Sequence, residues 1–196
     1  MPGSPALRVT ILLAALLLSG GAVKATAGEP RRCATKHARD LAADTRGRIY
    51  EVGRKHPRRW YACLRSRDRP IFIGSTDSGT SLGVPRVASP YAVASVLPLD
   101  PGGPLETLML IDMRRTEPRE VLVSGGVEQL VLSKHGVAVF VNASTDGRTE
   151  LVRRTNGRGE PSLLDTGNIA GGSLALSADG RRVYWVKDGV AQSATL

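Results

Sequence analysis

Two short triplets, Asp77-Ser78-Gly79 and Asp165-Thr166-Gly167, each place an aspartate ahead of a small hydroxyl residue and a glycine. Two such carboxylates held side by side share one proton and can activate water for attack on an amide. The 88 residues between Asp77 and Asp165 would give each carboxylate its own lobe. The flanking residues argue against that arrangement. Ser75-Thr76 precede Asp77, where an apolar strand is needed, and Asn168 follows the second triplet, where a small residue belongs. Leu163-Leu164-Asp165-Thr166-Gly167 reads better as a strand running into a turn. Asp77 and Asp165 remain as weak catalytic candidates.

Other reactive groups are sparse. The three histidines are His37, His56 and His135. The first two lie among arginines and the third in a hairpin turn, without the spacing a zinc site requires. There is no G-x-S-x-G elbow and no phosphate-binding P-loop, so no metal and no cofactor is expected. Asp146-Gly147 and Asp179-Gly180 lack the alternating oxygen ligands of a calcium loop and read as turns. Asn142-Ala143-Ser144 fits a glycosylation sequon, which means little if the host is bacterial. Trp60 and Trp185 sit in apolar runs and are expected in the core rather than as sugar platforms.

The N-terminus explains the redox setting of the two cysteines. Val9 to Leu18 is apolar except for Thr10, and small residues follow, ending in Ala25-Thr26-Ala27. This is the pattern of a cleavable secretory signal. The apolar run is about half the 20 residues that a spanning helix needs. Cleavage is expected after Ala27, leaving one domain over residues 28–196 that works secreted or at the cell envelope, with no transmembrane segment. Exported chains meet oxidising conditions, so Cys33 and Cys63 are expected to form one disulfide.

Charge is unevenly spread. Residues 28–69 hold 13 Lys/Arg against 5 Asp/Glu, whereas residues 70–196 hold 12 against 13. The basic first quarter, with Arg31, Arg32, Arg54, Lys55, Arg58 and Arg59, could meet an anionic envelope polymer. The alternative is a solvated face that keeps the protein soluble. Nucleic acid is not an expected partner, because the compartment is wrong; another exported protein is.

The elements that must carry these residues are short. β-type runs recur at Arg48 to Val52, Trp60 to Leu64, Pro70 to Gly74, Tyr91 to Leu97, Leu108 to Met113 and Glu120 to Val123. They continue at Leu130 to Ser133, Val137 to Asn142, Glu150 to Arg154, Ser162 to Leu164, Ser173 to Ser177, Val183 to Val186 and Val190 to Ser193. Asp-Gly or Asn-Gly pairs at Asp146, Asn156, Asp179 and Asp188 tolerate the positive φ of tight hairpins. Ser75 to Pro85 reads as a Ser/Thr/Gly loop, and Thr35 to Ala43 as at most one turn of helix. An antiparallel all-β protein follows.

The runs also repeat. Leu130 to Gly136 aligns with Leu174 to Gly180 at a spacing of 44 residues, in the range of propeller blades. Echoes begin near Leu41 and Val87, so about four units fill residues 28–196. Ser173 to Val190 (SLALSADGRRVYWVKDGV) resembles the S-x-D-G-x-x-[LV]-[YW] hairpin of WD40-like and TolB-type bacterial β-propellers. With Cys33, Trp60 to Leu64 and Leu163 to Leu196, the layout is similar to small uncharacterised secreted actinobacterial proteins. The resemblance implies a small, about four-bladed, or partial β-propeller; a β-sandwich is the alternative. The last unit shows three strands, and Arg32 to Lys36 could supply a fourth. The resemblance carries no functional residues, because propellers host unrelated functions. The expected function is a non-enzymatic binding or scaffold module of the envelope. The alternatives are a secreted hydrolase with an aspartic-protease-like pair, or polyanion adhesion through the basic segment.

Overall fold

The computed structural model describes residues 32–33, 37–53, 57–99, 105–115, 117–144, 147 and 149–196. The expected signal sequence and cleavage site lie outside the described residues, as do Arg31, Arg54, Lys55, His56 and Asp146. No helix among the described residues is long and apolar enough to cross a membrane.

Among the described residues, fifteen strands fold into four antiparallel sheets, each built from consecutive strands. The first holds β1 (Arg39–Ala43), β2 (Gly47–Val52), β3 (Arg59–Leu64) and β4 (Arg69–Ser75). The second holds β5 (Thr80–Ala88), β6 (Tyr91–Pro98), β7 (Leu105–Asp112) and β8 (Arg119–Ser124). The third holds β9 (Val127–Leu132), β10 (Ala138–Ala143), β11 (Glu150–Thr155) and β12 (Ser162–Gly167). The fourth has three strands, β13 (Ala175–Leu176), β14 (Arg182–Lys187) and β15 (Val190–Thr195).

The sheets stack in chain order because successive side chains of a strand point to opposite faces. In β6, Ala92 and Ala94 pack toward Ile49, Trp60 and Ile71 of the first sheet. The intervening Val93 packs toward Leu130 and Phe140 of the third. In β10, Phe140 belongs to the core shared with the second sheet, whereas Val139 and Val141 meet Leu174, Val183 and Trp185 of the fourth. A strand covered on both faces needs an unbroken apolar run; this is why VAVFV and YAVASVL do not alternate. Four such meanders side by side are blade-like repeats, not the two facing sheets of a sandwich.

Polar links repeat with the same period. Asp44, Ser89, Ser133 and Ser177 close the first hairpin of the four sheets in turn. Asp44 accepts from the Ser89 N–H at 2.7 Å and from the Ser89 hydroxyl at 2.8 Å. His135, in the third sheet's turn, donates from Nε2 to the Asp179 carbonyl of the fourth at 3.2 Å. Glu106 of β7 takes the Val127 N–H at 2.6 Å, and Glu150 of β11 takes the Ile169 N–H at 2.5 Å. Each glutamate thus satisfies an amide at the entry of the next sheet.

Three expectations are corrected. Arg39–Ala43 is a strand, not a helical turn, because its backbone pairs with β2 across a bulge between Asp40 and Ala42. Ser75 to Pro85 is not one loop. A single 3-10 turn (Thr76–Ser78) leads into β5, which pairs with β6 across an irregularity between Leu82 and Pro85. Gly83 permits that approach, since a Cβ there would lie 2.1 Å from Ser95 Oγ. Finally, Cys33 does not join the fourth sheet. It bonds to Cys63 of β3, with Cα atoms 5.8 Å apart, and donates its N–H to Asp68 at 2.7 Å. The disulfide, Tyr50 and Tyr61 form a small buried cluster on the far face of the first sheet. Residues 34–36 lie outside the described residues.

Candidate functional site

The turns that face the same end as Ser89 and Ser133 build an arginine-lined groove between the second and third sheets. It has a volume of about 240 Å³. Tyr91 opens β6 directly after the Ser89-Pro90 turn and leans on Gly136. A Cβ at Gly136 would meet the Tyr91 ring at 2.8 Å, and its φ of +79° also favours glycine.

Arg114 follows β7 and is held from two sides. It donates from Nε and Nη2 to both oxygens of Asp112, at 2.8 and 2.9 Å. It also donates to the Tyr91 hydroxyl at 2.9 Å. Such a fork is among the stronger protein ion pairs. The Arg114 side-chain hydrogen bonds hold the Asp112 carboxyl below its usual range against its partial burial, and raise the pKa of Arg114 in return. Arg115 Nε lies 3.6 Å from the same carboxylate. Two guanidiniums therefore share one Asp112.

The far wall comes from the β11–β12 turn. Arg119 donates to the Asn156 carbonyl at 3.2 Å, its aliphatic stem lying over Gly157. The Asn156 side chain takes the Arg158 N–H at 3.0 Å, fixing the turn and leaving the Arg158 side chain exposed. The groove thus carries four arginines against Asp112 and Glu117. A second cavity of about 320 Å³ shares Asn156 and Arg158 and adds Arg154. On the opposite side Arg67, from the β3–β4 turn, donates to the Arg114 carbonyl at 2.8 Å. The lining of the first groove includes no serine, threonine, cysteine or lysine. Its chemistry is that of planar, permanently charged donors, which suit carboxylate, phosphate or sulfate oxygens.

The basic residues singled out in sequence are placed differently. Arg32 lies 3.9 Å from Asp68, Arg58 3.9 Å from Glu51 and Arg59 3.8 Å from Asp77. Each faces a carboxylate at long range with at least one partner open to solvent, and such pairs are weak. The structure does not gather them with the arginine groove. Arg58 instead borders a separate cavity of about 570 Å³ beside Trp60, Leu82 and Gly83.

Asp77 and Asp165 are not brought together. Asp77 sits after β4 of the first sheet, exposed, where the Ser75 hydroxyl holds its carboxyl low. Asp165 lies on β12, two sheets away, and accepts from Trp185 Nε1 at 2.9 Å and Lys187 Nζ at 2.8 Å. Burial works to raise its pKa, but those hydrogen bonds outweigh burial and lower it. Trp60 and Trp185 are buried in the sheet cores. Asn142 is fully buried, its amide donating to the Ser124 carbonyl at 2.7 Å, so the sequon is inaccessible in the fold. Asp179 closes its turn by accepting from Ser177 and Arg181. Among the described residues no three His, Cys, Asp or Glu side chains cluster to hold a metal ion.

Sequence reasoning missed the groove. Residues 70–196 are nearly neutral overall, so Arg114, Arg115, Arg119 and Arg158 raised no local excess. The available signal was the period: Arg114 and Arg158 are 44 residues apart and occupy matching turns of neighbouring sheets.

No protein-family model matches the sequence, and no curated protein matches it. Among solved structures, TolB from Acinetobacter baumannii is similar at 14% identity and a TM-score of 0.48, over 82% of this chain and 41% of that one. A structure from a study of two prolyl endopeptidases is similar at 12% identity and a TM-score of 0.44, over 81% and 26%. A protein of unknown function from Desulfotomaculum acetoxidans DSM 771 is similar at 14% identity and a TM-score of 0.34, over 80% and 50%. This chain spans half or less of the length of each.

Proposed function

We propose that the chain is an exported, non-enzymatic binding module that holds an anionic group of the cell envelope in the groove between its second and third sheets. One observation carries the reading: Arg114, Arg115, Arg119 and Arg158 converge on a cavity of about 240 Å³ with only Asp112 and Glu117 opposing them. The neighbouring Arg154 cavity extends the strip along the rim, which favours a polymer carrying repeated charges over a single small anion. Export is supported by the N-terminal signal pattern and by the Cys33–Cys63 disulfide, which suits an oxidising compartment.

The test is binding of the purified mature chain to heparin and to an anionic wall polymer across a salt series. Groove recognition predicts an affinity that falls steeply with salt. It also predicts at least a tenfold loss in the R114Q/R158Q double variant, with little change in R58Q/R59Q. Salt-insensitive binding, or equal binding by both double variants, would reject the groove. Loss confined to R58Q/R59Q would return the function to the basic first quarter.

A further inference from the structure

The cavity of about 570 Å³ beside Trp60 lies between the first and second sheets, at the end opposite the arginine groove. One cross-strand row forms its wall on the first sheet. Arg39 of β1 pairs with Glu51 of β2, and Glu51 pairs with Trp60 of β3. The other wall is β5, between Ser81 and Pro85. Both β1 and β5 are irregular where they border this space. β1 bulges between Asp40 and Ala42, with Leu41 as the extra residue. In β5, the three steps from Leu82 to Pro85 span two of β6. A bulge bends its strand and re-aims the side chains beside it. The β5 irregularity is fastened in place, because Val84 donates its N–H to Ser95 Oγ at 2.9 Å.

Glu51 is the polar centre of the cavity. Its side chain is 13% exposed, and Oε2 accepts from Trp60 Nε1 at 3.2 Å. Arg58 Nη1 stands 3.9 Å from the same oxygen, beyond hydrogen-bond reach. A carboxylate withdrawn from water is costly to leave short of donors. An incoming N–H would add the donor that Arg58 does not supply. Arg39 and Arg58 are exposed at the mouth, two cations beside one anion. Leu41, Leu82 and Pro85 are half-buried and give an aliphatic wall. Trp60 is 3% exposed and shows no ring face to a sugar. A polymer of repeated negative charge would set an anion beside Glu51. The lining therefore suits a single carboxylate, an N–H close to it and an aliphatic body.

We infer that this cavity binds the free C-terminal residue of a peptide with an aliphatic side chain. Its carboxylate lies against Arg39 and Arg58, its amide N–H donates to Glu51, and its side chain rests on Leu41, Leu82 and Pro85. Opposite residues of an antiparallel pair are about 4.5–5.5 Å apart. Arg39 and Glu51 can therefore reach a carboxylate and an N–H carried on one α-carbon. This ligand is separate from the polyanion of the arginine groove.

Calorimetry of the mature chain with N-acetyl-glycyl-leucine and with its C-terminal amide tests the inference. The acid should bind about tenfold tighter than the amide, the scale of a hydrogen bond between charged groups. Arg39→Gln and Arg58→Gln should each weaken the acid by about tenfold. Both residues are exposed, so the melting temperature should stay near that of the parent. Isocaproate keeps the carboxylate and the branched chain but lacks the N–H. The parent should bind it more weakly than the peptide, and Glu51→Gln should narrow that difference. Of the two indole N–H resonances, that of Trp60 should move with the acid and that of Trp185 should not. Equal affinity for acid and amide, binding indifferent to both arginine variants, or no binding at millimolar peptide overturns the inference. Tighter binding of glucuronate than of the peptide overturns it too, by making an acidic sugar the occupant.

Discussion

Tyr91 and Arg114 are joined twice: the phenol oxygen accepts from Arg114 Nη2 at 2.9 Å, and the guanidinium carbon lies 5.2 Å from the ring centroid. The ring in turn rests on Gly136, so the position of one arginine depends on a turn of the next sheet. Tyr91→Phe keeps the ring and removes only the hydroxyl. It should weaken polyanion binding about twofold to tenfold, the scale of one ordinary hydrogen bond of about 0.5–1.5 kcal/mol. Gly136→Ala drives a methyl into the ring and should lose more, with a measurable fall in melting temperature. Equal affinity for all three proteins would show that Arg114 needs no such support.

The disulfide closes a loop of 30 residues. Chain-entropy reasoning assigns such a loop about 3–4 kcal/mol. Cys33→Ser/Cys63→Ser, or the reduced protein, should show a correspondingly lower denaturant midpoint. Arg48 makes the same region dependent on the tie: it donates to the Cys33 carbonyl and, at 2.6 Å, to Asp40. Hydrogen exchange after reduction should therefore rise first in β1 and β2.

Asp44 gives a pH signature. Burial tends to raise its pKa, but the Ser89, Arg46 and Gly47 donors outweigh burial and lower it. Asp112 and Asp165 are lowered as well. Carboxyls with depressed folded-state pKa values contribute stability that is full above about 3.9, the unfolded value, and is lost as pH falls through the folded value. Melting temperature should be nearly flat above about pH 5 and drop steeply below about pH 4. Asp44→Asn should cost about 1–3 kcal/mol at neutral pH and flatten part of the acid limb. An acid limb identical in parent and variant would remove Asp44 from the account.

At the alkaline end the relevant group is Tyr50. Burial pushes its pKa up to about 12, though Arg48 pulls the other way. Its guanidinium lies 4.3 Å from the ring centroid. A raised folded pKa contributes stability that is full below the unfolded value of about 10 and is lost as pH rises through the folded one. Ultraviolet titration should show a delayed tyrosine step coinciding with loss of tertiary structure. In Tyr50→Phe that step should vanish. A parent titration with no delayed step would contradict the burial of Tyr50.

Strand positions were legible because alternation and Asp-Gly or Asn-Gly turns are local signals. The 44-residue period was legible because the same turn recurs at Ser133 and Ser177. The strands β1 and β5 were not. Arg39–Ala43 is charged or alanine at four of its five positions, and β5 is interrupted by Gly83 and Pro85, so both owe their conformation to pairing partners. The groove was hidden for a related reason. Its arginines are spread over turns far apart in sequence, and linear charge counting cannot see turns that converge. The basic first quarter was visible, but Arg32, Arg58 and Arg59 face Asp68, Glu51 and Asp77 instead of the groove.

Each large core belongs to one neighbouring pair of sheets, and the two outermost sheets end differently. The first is clamped by Cys33–Cys63, and the fourth holds no cross-link. The described row of sheets therefore has a polarity, with a cross-linked head in the first sheet and an uncross-linked tail in the fourth. Stability in such a row is set by nearest neighbours, so loosening should travel from tail to head, and a duplicated unit would lengthen the row without needing a new centre.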